Sequence, residues 1–170
     1  MPETLLFAGG AFRPDPWTRL DDAAPLPADG HAILTLDQWE RLRDGALRSD
    51  RPLGLALAPG TPLEPLAADL PRFALVALAF PKFSDGRAYS MARQLRHDYG
   101  FSGEIRATGD VLFDQLQLMA RCGFDAFEIT DAATRRLLEA GRRPGLDVFT
   151  QPSLGAEGAA GLAWRRRSLA

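Results

Sequence analysis

The chain has 170 residues, 46% hydrophobic and 25% charged, which suits one globular domain and excludes wholesale disorder. A net charge of -2 supplies no global field to attract nucleic acid or an anionic membrane. A single cysteine excludes an internal disulfide, two histidines argue against a histidine-rich metal site, and no apolar run reaches the ~18 residues of a membrane helix.

The N-terminus lacks a signal-peptide pattern, so a cytoplasmic protein is expected. Residues 1–30 read as an arm. Leu5 to Ala8 forms a short strand ending at Gly9-Gly10, and Ala11-Phe12-Arg13 is placed to pair back across that turn as a hairpin. Pro14, Pro16, Pro25 and Pro27 then punctuate a polar segment anchored by Trp17 and Leu20. Proline removes amide donors, so the arm is expected to wrap the surface or a neighbouring subunit rather than supply a central strand.

Residues 31–145 carry the rhythm of an α/β core. Ala32 to Leu36 is a strand, and Asp37 is placed to cap a helix through Trp39, Leu42 and Leu47. Leu53 to Ala58 is a second strand, bounded by Pro59-Gly60. Thr61 is expected to cap a short helix with Pro62 in its first turn, carrying Leu63, Leu66 and Leu70. Ala74 to Phe80 is a third strand, apolar throughout, as in a sheet covered on both faces.

A helix over Asp85–Tyr99 has its apolar stripe on Ala88, Met91, Ala92, Leu95 and Tyr99, and stops at Gly100, followed by Phe101. Strand Glu104–Thr108 leads to a helix over Val111–Cys122, with Leu112, Phe113, Leu116, Met119 and Ala120 inward. It stops at Gly123, followed by Phe124. Strand Ala126–Ile129 and a helix from Asp131 to about Ala140, closed by Gly141, complete the series.

About five βα units predict a single α/β domain with a mostly parallel sheet, either partial barrel-like or open and flavodoxin-like. Residues 146–170 add a C-terminal strand at Val148 to Gln151, a glycine- and alanine-rich loop, and a basic tail containing Trp164, Arg165, Arg166 and Arg167. That tail reads either as solvated or as a partner-docking strip. The arm also leaves room for a homo-oligomer.

Ligands of parallel α/β folds bind beyond the carboxyl ends of the strands. Three units place polar residues there: Lys82, Ser84, Asp85 and Arg87; then Arg106, Thr108 and Asp110; then Glu128, Thr130 and Asp131. Six of these, Ser84, Asp85, Thr108, Asp110, Thr130 and Asp131, also suit helix caps. Arg87 breaks a local rule, because the first turn of a helix disfavours a cation. Lys82, Arg87 and Arg106 either pair with Asp85, Asp110 or Glu128, or hold an anion or a partner, with Asp110 or Glu128 as a candidate general base. Cys122, in a last helical turn, reads as packed and inert. The chain has no G-x-G-x-x-G fingerprint, Walker loop, Cys-x-x-Cys-His or cysteine cluster, so no cofactor and no metal are expected.

Phe80 to Ser90 (FPKFSDGRAYS), Gly100-Phe101, Gly109 to Leu112 (GDVL) and Arg121 to Glu128 (RCGFDAFE) together resemble a bacterial family of uncharacterised proteins. The resemblance covers about a third of the chain directly. It implies a genomic context, since such proteins are typically encoded beside the haem-containing sulfite or nitrite reductase and are often labelled oxidoreductases. It carries no catalytic residue. Two functions are therefore expected. One is an accessory protein of assimilatory sulfite reduction that binds the reductase or a small carrier. The other is a small-molecule enzyme or sensor that binds an anionic ligand at the strand ends.

Overall fold

The fold is described from a computed structural model covering residues 5–27, 29–48 and 50–144; the tail expected at 146–170 lies outside the described residues. Eight strands form one sheet: β1 (Leu5–Ala8), β2 (Ala11–Arg13), β3 (Trp17–Arg19), β4 (His31–Thr35), β5 (Leu53–Leu57), β6 (Phe73–Phe80), β7 (Glu104–Gly109) and β8 (Ala126–Ile129). Their order across it is β2-β1-β8-β7-β6-β5-β4-β3. Neighbours from β3 through β8 run parallel, whereas β1 joins both β8 and β2 antiparallel.

The sheet is thus mixed and eight-stranded, which corrects the expectation of a mostly parallel sheet of about five units. The physical reason lies in the N-terminal arm. Its prolines at 14 and 16 fall between β2 and β3, where they cost no ladder hydrogen bonds. The arm therefore supplies three strands of the sheet instead of wrapping its surface.

Chain length forces this sheet to curl. β2 and β3 are opposite edges, which a flat sheet would hold about 33 Å apart at ~4.8 Å per strand. Residues 14–16 are the whole connection, and Arg13 to Trp17 spans at most ~14 Å. The result is a half-barrel. Its sequential strand order also removes the flavodoxin-like alternative, which needs a reversal of order.

Helices α1 (Leu36–Leu47), α2 (Arg87–His97), α3 (Leu116–Arg121) and α4 (Ala132–Glu139) follow β4, β6, β7 and β8. Right-handed crossovers between neighbouring parallel strands place α1, α2 and α3 on one face, the convex one, and α4 joins them through Leu138. There Trp39, Met91, Leu95, Met119 and Leu138 pack with Leu34, Leu55, Val76, Leu78 and Ile105 in the main core. The stripe on α2 is buried at Ala88, Met91, Ala92 and Leu95.

Local chemistry moves several boundaries. Thr35, not Asp37, caps α1: its hydroxyl accepts from the Gln38 amide while the Gln38 side chain accepts from the Thr35 amide. The helix expected after Thr61 is replaced by two 3₁₀ turns, Glu64–Leu66 and Leu70–Arg72. Pro62, Pro65 and Pro71 deny that segment the amides a longer helix needs. The helix expected from Val111 instead starts as a 3₁₀ turn, Phe113–Gln115, before α3.

The turn after α3 depends on Arg96 of α2. Its guanidinium donates to the carbonyls of Phe101, Gly103 and Gly123 and pairs with Asp125. Gly123 has φ +107°, and a Cβ there would sit 2.7 Å from Arg96 Cγ. That glycine belongs to the scaffold.

Candidate functional site

Strand alternation sorts the polar residues. On β7, Ile105 and Ala107 face the helices in the main core, so Glu104, Arg106 and Thr108 face the concave side. The same parity turns Ala77 and Ala79 of β6 inward, opposite Arg106 and Thr108. On β8 it turns Ala126 and Glu128 inward.

Arg106 is fully buried on that concave face. Its Nε donates to Glu104 at 2.9 Å, Nη1 and Nη2 fork onto the two oxygens of Asp15 at 2.6 and 3.1 Å, and Nη1 reaches Glu128 at 3.4 Å. Asp15 lies in the link that closes the half-barrel, so the link is tied down by this pair. Glu128 in turn accepts from Arg19 of β3 through both oxygens at 2.8 Å, and Glu104 pairs with Arg13 of β2 at 3.3 Å. Burial alone would lower the pKa of Arg106, but hydrogen bonding to Asp15 and the charges of Glu104 and Asp15 outweigh it and raise the pKa. Three cations thus meet three carboxylates. Arg106 is saturated, and it is not brought to an anion site with Lys82 and Arg87. Glu128 is likewise engaged by two arginines.

The other expected residues form a separate rim after β6. Arg87 opens α2 and pairs with Asp85, through Nε at 3.0 Å and Nη2 at 2.7 Å. The Arg87 hydrogen bond pulls the Asp85 carboxyl down to about 2, and Asp85 raises Arg87 in return. This ion pair resolves the broken helix rule, because the cation carries its own carboxylate into the first turn. Ser84 and Lys82 are exposed, and among the described residues no ion pair holds the Lys82 ammonium.

Asp110 does not cap a helix. It accepts from the Phe83 amide at 2.8 Å, while Gln115 donates to the Phe83 carbonyl at 2.7 Å. The Phe83 backbone is therefore clamped on both sides, yet its side chain leaves the residue 58% exposed. Gly109, at φ +91°, makes this join possible, since a Cβ there would lie 2.4 Å from the Phe80 carbonyl oxygen. The FPKFSDGR and GDVL phrases meet at this point.

A third feature is a cavity of about 510 Å³ at the carboxyl ends of β4 to β7, on the concave face. Thr108 lines it, together with Arg19, Thr35, Asp37 and an alanine floor from Ala56, Ala77 and Ala79. Arg87 instead borders a different hollow of about 450 Å³, with Gly60 and Tyr99.

The remaining side chains are structural. Asp131 caps α4 by accepting from the Thr134 amide, which lowers its pKa. Thr130 donates weakly to Gly109 at 3.4 Å. Cys122 is buried, and burial pushes its thiol up, the wrong direction for a nucleophile. Tyr89 rises to about 12, first through burial and then through Cys122 and Asp114. Among the described residues no group of three or more His, Cys, Asp or Glu is placed to hold a metal ion, and no helix is long and apolar enough to cross a membrane.

Sequence reading missed Asp15, Arg19, Glu104 and Phe83. Thr-Arg within Trp17–Arg19 carried no local signal, because its partner Glu128 is 109 positions away. Phe83 carried one: an aromatic set among Lys82, Ser84 and Asp85 at a strand mouth. Trp164, Arg165, Arg166 and Arg167 lie outside the described residues.

A search of curated proteins gives no match. A family model described as "Bacterial protein of unknown function (DUF934)" matches residues 54–155, from β5 through α4 and beyond. That match spans more than half of the 170 residues and includes the rim and the inner strands, so the chain belongs to this bacterial family.

Proposed function

We propose that the protein is an accessory protein of assimilatory sulfite reduction, acting by contact with the haem-containing sulfite or nitrite reductase. One observation carries the contact itself: Phe83 is held rigidly by Asp110 and Gln115 while its ring stays in solvent. A large apolar side chain exposed on a clamped backbone loses little entropy on docking, which is how aromatic anchors work at interfaces. Lys82 beside it adds a cation suited to an acidic rim on the partner. The choice of reductase rests on the resemblance carried by FPKFSDGRAYS, the phrase that contains this anchor. The reading assigns no redox step to the chain, whose single thiol, Cys122, is buried with its pKa raised.

The test is binding of the full chain to purified holo-reductase from the same bacterium at physiological salt, by calorimetry. Wild type is expected to bind in the micromolar range or better, with Phe83→Ser weakening it at least about tenfold. No saturable heat from wild type, or equal affinity for Phe83→Ser, would sink the reading.

A further inference from the structure

We infer that the concave cavity binds a free α-amino acid, recognised by its two opposite charges. This site is independent of the Phe83 rim. The half-barrel is filled at one end and open at the other. Toward the amino ends of the strands, Trp17 packs with Ile33 and Leu75. One register step on, the inner face turns to alanine: Ala56 lies opposite Ala77, and Ala79 lies beside Thr108. The convex positions of the same strands carry buried Leu55, Leu57, Leu78 and Phe80. Small side chains on one face only leave the opening of about 510 Å³, a size in the range of small-ligand sites.

Thr108 supplies the mark of a ligand site. It is only 8% exposed and lines the cavity, yet among the described residues its hydroxyl has no hydrogen-bond partner. The hydroxyl oxygen itself opens onto the cavity, so a group bound there is within its reach. The start of α1 also borders the cavity at Leu36 and Asp37. Thr35 satisfies the Gln38 amide and the parallel register turns the Leu36 amide to β5, while the Asp37 amide, in the first turn, has no intrahelical acceptor. A carboxylate placed there gains that donor and the positive end of the helix.

Charge then narrows the ligand class. Arg19 binds Glu128 through Nη2 alone, leaving Nε and Nη1 without a partner among the described residues. Asp37 is exposed on the same lining. A ligand of one sign is attracted by one of these groups and repelled by the other. A zwitterion satisfies both, its carboxylate toward Arg19 and the start of α1 and its ammonium toward the Asp37 side chain. The alanine floor takes the side chain.

The experiment titrates the full ¹⁵N-labelled chain with each standard amino acid, its N-acetyl form and its methyl ester, following the amides of Ala77, Ala79 and Thr108. At least one free amino acid is expected to saturate these shifts below about 10 mM, with both blocked forms weakened about tenfold or more. Thr108→Val and Asp37→Asn are each expected to weaken binding about fivefold or more at an unchanged melting temperature. Ala79→Leu should abolish it by filling the floor; if that variant misfolds, Thr108→Val decides. The proposal is overturned if no free amino acid saturates these amides, if a blocked form or plain propionate binds equally well, or if Thr108→Val binds like wild type.

Discussion

Two arginine–carboxylate groups, one on the concave face and one on the rim, show how differently the same chemistry can be used. Arg106 is wholly out of solvent and is shared by Asp15, Glu104 and Glu128. Arg87 has 64% of its side chain exposed and pairs with Asp85 two residues away. The first joins the closing link to two inner strands, so its removal leaves three partly exposed carboxylates crowded around the gap. The second settles one helix start and little else. Arg106 lies within β7 and Arg87 follows β6, both at points where a ligand might have been sought, yet each has its charge satisfied inside the protein. The exposed groups beside them, Phe83 on the rim and the Thr108 cavity on the concave face, are where binding capacity remains.

The comparison breaks first at Arg106. Replacing it with Met is expected to destabilise the fold by about 3–5 kcal/mol in urea unfolding, because it leaves carboxylates packed together without their cation. A loss below about 1 kcal/mol would mean that the link at Asp15 does not depend on it. Gly109→Ala comes next, at about 2 kcal/mol or more, from a strained backbone and a clash with the Phe80 carbonyl. The rim side chains should behave in the opposite way. Phe83→Ser is expected to stay within about 0.5 kcal/mol of wild-type stability while losing partner affinity, which separates anchoring from folding.

The smallest effect sharpens the rim pair. The Asp85 carboxyl titrates at about 2 in the folded chain against an ordinary 3.8. A depressed folded value means that its contribution is fully present above the unfolded value and fades as pH falls from about 4 to about 2. NMR titration of Asp85 should give the low value, and Arg87→Ala should return it toward 3.8. An unmoved midpoint would show that the pair is absent in solution.

Strand existence was legible because it is local. Ala126–Ile129 was read with the bounds that β8 has, and β5 and β6 were displaced by a single residue at one end. Helix stops at Gly100, Gly123 and Gly141 were equally local, and all three glycines hold positive φ. Caps were less legible, since Thr35 and Asp37 are both good candidates and the choice fell to the reciprocal bond with Gln38. Of the candidate site, the strand pattern puts Thr108 at the carboxyl end of β7, where it lines the cavity. That pattern could not reveal that Arg106 was already occupied, because Asp15 stands 91 positions away.

By itself, then, the sequence determined the alternation of strands and helices, the buried face of α2, and the glycine joints that end helices, all set by interactions within a few residues. Tertiary structure alone decided the rest: the mixed sheet, its curl, the locked arginine and the open cavity. Each follows from one long-range constraint. Three residues must bridge the two edges of an eight-stranded sheet, and only a curled sheet brings Asp15 to Arg106 and Arg19 to Glu128.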